Sequence, residues 1–217
     1  VAGYYTYHQN LKKFLLYCTL ASLIHYSSII FFPFYFLFNA DIKRKRMIWI
    51  VAITYMLALL NISGYLIGLI INSGFGNVFV DKVNSYSTND AYNSNVLLTF
   101  STFHRIFIFF TIFFTVKYIP ADDRLKKLLL LAAFLNISIF LLFSRFELVA
   151  IRGSLPFRYF EIIYFSYLPY VFKKKQIKFL VCVLLLIYVY MQVFQTLDVG
   201  VGNDVDNTLL PYRTVFG

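Results

Sequence analysis

His104 and Arg105 stand side by side in the middle of an otherwise apolar run, residues 96–115. A guanidinium keeps its proton at any accessible pH, and holding one at mid-membrane depth costs about 2.5–3.5 kcal/mol even on the mildest scale. Such a group needs a partner, a water-filled cavity or an anion. A second concentration of charge lies between Arg145 and Glu161. It contains Arg145, Arg152 and Arg158 together with Glu147 and Glu161, the only glutamates in the chain. Arg158 and Glu161 are three apart, so on a helix they share a face and can pair. Arg145 and Arg152 are seven apart and share a face wherever that stretch is helical. Gly153-Ser154-Leu155-Pro156 reads as a helix break, with Ser154 capping the helix that follows.

Clustered arginines suit bidentate binding of phosphate, and a lipid pyrophosphate would offer two phosphates at membrane depth. The plainer reading is that these side chains snorkel to lipid headgroups, with His104 and Arg105 satisfied by neighbouring carbonyls or a carboxylate. His25 is a candidate base or a hydrogen-bonded core histidine. Asn61, Ser63, Asn136 and Ser138 read as partners between helices. No P-loop, HExxH or GxSxG motif occurs, nor any Cys or His spacing typical of a metal site, so neither cofactor nor metal is expected. Cys18 and Cys182 both fall in apolar segments and form no disulfide framework.

The elements that would position these groups follow from composition. The chain has 217 residues, 60% of them hydrophobic and only 14% charged, too few charges to cover a soluble domain. The expected class is all-α: a polytopic membrane protein with about six hydrophobic helical segments in one transmembrane domain over residues 1–217. The apolar runs are 14–38, 47–71, 96–116, 128–143, 155–172 and 179–197, and lipid-facing backbone favours helix. The net charge of +10 sits in short clusters rather than on one face, which argues against nucleic acid. The clusters are Lys43 to Arg46, Lys117 to Lys127 and Lys173 to Lys178, and all three are expected on the cytoplasmic side. The 72–95 loop, the 145–156 connection and the tail from residue 198 are then extracytoplasmic. The first run conflicts with this scheme, because Lys12 and Lys13 precede it and four bases follow it. It either crosses against the charge rule or dips in and returns as a re-entrant hairpin.

Three patches resemble the EpsG-type polysaccharide polymerases, a Wzy-like group. Ala21-Ser-Leu-Ile-His25-Tyr-Ser27-Ser28 is similar to that family's Ala-x-x-x-His-x-Ser-Ala patch, with Ser28 where alanine is usual. Arg158-Tyr159-Phe160, followed by a helix ending at Leu168-Pro169 and a basic loop, resembles its late Arg-x-x-Tyr-Phe helix. Pro211-Tyr212 is like its closing Pro-Tyr. The resemblance covers the whole chain as the C-terminal part of a longer protein whose upstream half, with an Arg-Gln segment, is not included. It implies a metal-independent glycosyltransferase of the bacterial inner membrane, acting on the extracytoplasmic side on polyprenyl-pyrophosphate-linked glycans. The product would be O-antigen, capsule or exopolysaccharide, and a chain-length regulator protein is a candidate partner. By residue chemistry Arg105, Arg145, Arg152 and Arg158 would hold the pyrophosphate, with Glu147, His25 and His104 as candidate bases. A transporter or flippase of lipid-linked sugars is the alternative, since it too would line a cavity with arginines.

Overall fold

The computed structural model describes residues 1–24, 26–40, 42–62, 64–65 and 96–201. His25, Ser63, the 72–95 loop and Pro211-Tyr212 lie outside the described residues. Every regular element among those described is helical. The chain divides into two compact units, 1–164 and 165–217.

The first apolar run is not one helix. After α1 (Ala2–Tyr7), α2 (Leu11–Ile24) is followed by a 3₁₀ turn (Tyr26–Phe31) and then by α3 (Phe32–Asn39). Pro33 falls in the first turn of α3, where its missing N–H does no harm and its fixed φ favours a new start. At 1.5 Å per residue, α2 is about 21 Å long and α3 about 12 Å, both short of a roughly 30 Å hydrocarbon core. The two fold back on each other. The Phe14 ring, near the start of α2, lies 5.2 Å from that of Tyr35, near the end of α3. The Tyr35 hydroxyl donates to the Gln9 carbonyl at 3.0 Å, and the Gln9 amide reaches Asn39 at 3.5 Å. Within this run α2 and α3 pack as a hairpin, the geometry that a re-entrant path requires. Gln9 turns the chain between α1 and α2 at φ 54°, and Asn10 caps α2 by accepting from Lys13 N–H at 3.1 Å.

α6 (Asp123–Leu142) is the centre of the first unit. Its buried residues run all round it, from Leu128 to Leu141, as in a helix enclosed by others. It packs most extensively against α4 (Arg44–Leu59) and α5 (Phe100–Thr115). Asp122 caps α6 through Leu125 N–H at 3.4 Å and also accepts from the Tyr7 hydroxyl at 3.0 Å. Lys127 stands 5.6 Å from the centre of the Phe38 ring. Both ends of the hairpin therefore gather at the Asp122 end of α6. Two segments among the described residues, Phe100–Tyr118 and Asp123–Leu142, are long and apolar enough to cross a membrane.

The expected break at Gly153–Pro156 does not occur: α7 runs continuously over Glu147–Tyr167. Gly153 marks a close packing position, since a Cβ there would come within 3.2 Å of Ile30 and 3.3 Å of Ile139. Pro156 removes one backbone donor inside the helix. Burial of Ala150, Ser154 and Phe157 around it holds the helix together against that local signal. Ser154, expected as a cap, turns its hydroxyl to the Ile151 carbonyl at 3.2 Å instead. Arg145 precedes α7, so it and Arg152 share no helical face.

In the second unit, a 3₁₀ turn (Leu168–Val171) leads to α8 (Lys175–Val201), and the Phe165 and Tyr188 rings meet edge-on at 5.7 Å. Cys18 and Cys182 are both free thiols.

Two outcomes follow. Gly153→Leu overpacks the junction with Ile30 and Ile139 and destabilises the fold by about 1–3 kcal/mol, read as a lowered unfolding midpoint in detergent. In a chain with both native cysteines replaced by serine, Lys13→Cys and Lys43→Cys react with a membrane-impermeant maleimide from the same side. Labelling from opposite sides would refute the hairpin.

Candidate active site

Arg105 is only 4% exposed, although it sits in the second turn of an apolar helix. Its burial is compensated from two neighbouring helices. Nη1 donates to Asn136 Oδ1 of α6 at 2.9 Å and to Ser154 Oγ of α7 at 3.1 Å. The guanidinium carbon stands 4.0 Å from the centre of the Phe140 ring, a cation–π contact worth up to about 2 kcal/mol when desolvated. The amide nitrogen of Asn136 donates in turn to Glu161 Oε1. Arg158 Nε lies 4.0 Å from the other oxygen, Oε2. The result is one connected chain of polar groups, Arg105–Asn136–Glu161–Arg158, with Ser154 at its Arg105 end.

The helical period explains why α7 can supply three of these groups. Ser154, Arg158 and Glu161 fall within about 60° of one another, with Glu147 near the same line two turns before Ser154. Glu161 and Ser154 are buried, whereas the Arg158 side chain is 34% exposed. Two guanidiniums therefore face one carboxylate in these contacts, and the more accessible of the two is Arg158. The far end of α7 is fastened by the buried Tyr164, whose hydroxyl meets that of Thr115 on α5.

The sequence candidates separate accordingly. Arg105 and Arg158 meet in one network, and His104 stands within electrostatic reach of both. The His104 ring lies 6.1 Å from that of Phe100, nearly parallel. Glu147 opens α7, about 16 Å along the axis from Arg158, beyond direct contact with it. Arg145 is exposed in the turn before α7. Arg152 is exposed on the opposite side of α7 from Ser154, about 160° round the helix. It borders a cavity of about 850 Å³ whose other walls come from residues 1–8, from α2 and the 3₁₀ turn after it, and from α6. The three arginines of the 145–158 stretch therefore do not form a single cluster. Residue types alone had assigned Asn136 to helix–helix bonding and Glu161 to Arg158, without linking either to Arg105. The available signal was a lone amide in the 128–143 run and one of only two glutamates. Among the described residues no three His, Cys, Asp or Glu side chains gather as a metal site.

The sequence matches the EpsG family over residues 1–214. The chain belongs to the EpsG family. No curated protein and no solved structure matches it. Of the patches that resemble EpsG members, the Arg158 patch lies on α7, and the described residues of the histidine patch lie on α2 and the 3₁₀ turn after it. Arg158 belongs to the polar network, whereas Tyr159 and Phe160, and Ala21 and Ser28 of the histidine patch, border the Arg152 cavity.

The network makes a stability prediction. Asn136→Leu strands the Arg105 guanidinium and the Glu161 carboxylate together, at a cost of about 3–5 kcal/mol. Arg105→Met should cost less in that background than in the wild type, read as non-additive shifts in the detergent unfolding midpoint. Additive shifts would show that the two side chains are not coupled.

Proposed function

We propose that this EpsG-family chain is a membrane glycosyltransferase that polymerises oligosaccharide repeat units carried on polyprenyl pyrophosphate. The observation that carries this reading is the Arg105–Asn136–Glu161–Arg158 network: two guanidiniums opposed by one carboxylate, held between three helices. In the reaction, a hydroxyl oxygen of one lipid-linked unit attacks the anomeric carbon of the growing glycan. The bond from that carbon to the pyrophosphate breaks, and the departing pyrophosphate keeps the electron pair. The hydroxyl proton passes to a base. Arg158, the accessible cation, meets the developing charge on the leaving group as a planar fork, with Arg105 behind it and Glu161 fixing its orientation. His104 is a base candidate within electrostatic reach of both cations. Glu147 stands on the same stripe further along α7, and His25 remains a third candidate.

The proposed setting is the bacterial inner membrane, with the three basic clusters in the cytoplasm and the Glu147 end of α7 outside. The returning hairpin supports this, because Lys12, Lys13 and the 43–46 cluster then obey one charge rule. Polyprenyl-linked glycans are the substrates, and a chain-length regulator is a proposed partner. The product, whether O-antigen, capsule or exopolysaccharide, follows from the substrate supplied.

The test uses the full-length protein at matched expression. Arg158→Ala collapses the surface glycan ladder to single repeats, with turnover down about 10²–10³-fold, as for loss of one charge-stabilising donor. Arg158→Lys retains part of the ladder, since a point charge replaces a bidentate fork. Wild-type ladders from Arg158→Ala would reject the proposal. Repeat units stranded on the cytoplasmic face would point to transport of the lipid-linked sugar instead.

A further inference from the structure

Asn136 is the one amide of α6, and both of its polar atoms are used. Oδ1 accepts from Arg105 Nη1 at 2.9 Å, and Nδ2 donates to Glu161 Oε1. Chemistry fixes this orientation. A guanidinium can only donate and an ionised carboxylate can only accept, so the amide oxygen must face Arg105 and its nitrogen Glu161. Ser154 keeps the same order: it accepts from Arg105 at 3.1 Å and donates to the Ile151 carbonyl at 3.2 Å. Glu161 ends the chain, accepting from Asn136 on one oxygen while the other stands 4.0 Å from Arg158 Nε. Arg105, Asn136 and Glu161 are 4%, 3% and 5% exposed, against 34% for the Arg158 side chain. Opposite charges buried at this depth attract strongly over short distances. Without a spacer, burial favours pairing Glu161 with Arg105, the more deeply buried of the two cations. Asn136 occupies the place between those ions, and its N–H holds the carboxylate toward Arg158. Leucine has neither group, an ionised aspartate cannot donate to Glu161, and serine offers a single oxygen on a shorter stem.

We propose that Asn136 is a positioning residue for Arg158: its amide keeps the two buried ions Arg105 and Glu161 from pairing directly, and so commits the carboxylate to Arg158. The role is exercised through Glu161 and needs no contact with substrate. Its consequence for turnover rests on the polymerase reading, in which Arg158 meets the departing pyrophosphate. Its consequence for the Arg158–Glu161 pair does not.

The test uses the full-length protein in nanodiscs, with phenylglyoxal as the probe of Arg158 and mass spectrometry to map the adduct. Arg152, exposed on α7, is the internal standard, and its modification stays constant. Glu161→Gln removes the carboxylate and sets the rate for unprotected Arg158, about tenfold above wild type, as for loss of one charge-assisted contact. Asn136→Ser leaves Glu161 in place yet raises Arg158 modification nearly as far, because the carboxylate moves to Arg105. That new ion pair offsets the lost amide bonds, so the variant keeps its fold. In the double variant Asn136→Asp with Glu161→Gln, carboxylate and amide exchange places. The introduced carboxylate accepts from Arg105 and from the introduced amide, so every group is partnered again and the net charge is unchanged. The unfolding midpoint, lowered by Asn136→Asp or Glu161→Gln alone, returns toward that of the wild type. Arg158 stays as reactive as in Glu161→Gln. In turnover, Asn136→Ser and the double variant lower kcat about tenfold without raising KM, since the lost interaction serves the transition state. Wild-type protection of Arg158 in Asn136→Ser overturns the proposal. So does a double variant that restores that protection, which marks a merely structural amide, or one whose midpoint stays as low as in the single variants. Wild-type kcat in Asn136→Ser with Arg158 deprotected, or unchanged glycan ladders in Arg158→Ala, rejects the polymerase reading and leaves the pairing result standing, so the two failures are distinguishable.

Discussion

Burial of the Arg105 guanidinium is the constraint around which the first unit is built. A permanent charge at 4% exposure is tolerable only if its N–H groups are met and its field is answered. Two of its hydrogen-bond partners come from α6 and α7. The demand therefore joins three helices at one depth. It requires an amide at position 136 of an otherwise apolar central helix and a small hydroxyl at 154. The bare backbone at Gly153 meets the same need from another side, letting α7 approach Ile139 of α6 closely enough for those bonds to form. A hydrophobic residue at 105 would make the same bundle simpler to hold together.

The hairpin of α2 and α3 follows from a different constraint, helix length. Neither limb can cross a hydrocarbon core, and Pro33 restarts the helix where the chain turns back. Aromatic contact between Phe14 and Tyr35, with the Tyr35–Gln9 bond, closes the two limbs together. The return brings Phe31 and Phe34 against Phe157 of α7. The same hairpin thereby supports the helix carrying Arg152 and Arg158.

Much of this fold was legible in sequence because apolar run length and clustered bases are direct consequences of a lipid solvent. The runs at 96–116 and 128–143 correspond to α5, which begins four residues later, and to α6, which begins five residues earlier. The sequence left the first run open between two topologies, since its charges argued for one and its length allowed both. At Gly153–Pro156 the local signals misled. Glycine and proline are read as breakers from propensity, but packing against Ile30 and Ile139 makes glycine necessary there, and buried neighbours hold proline inside the helix. The network itself was only half visible. Arg158 and Glu161 are one turn apart and could be paired by counting. Arg105 and Ser154 are separated by 49 positions, and no local pattern encodes that contact.

Continuity of α7 changes what its arginines can do. Had the chain broken at Gly153–Pro156, Arg152 and Arg158 would sit on separate segments, and their relative direction would depend on a loop. In one helix they are six residues apart, which fixes them about 120° apart in azimuth and about 9 Å apart in height. Neither can turn toward the other's side without rotating the whole helix, and Gly153 packed on Ile30 and Ile139 opposes that rotation. A single rigid element thus presents one cation to a buried polar network and another to the cavity that Arg152 borders.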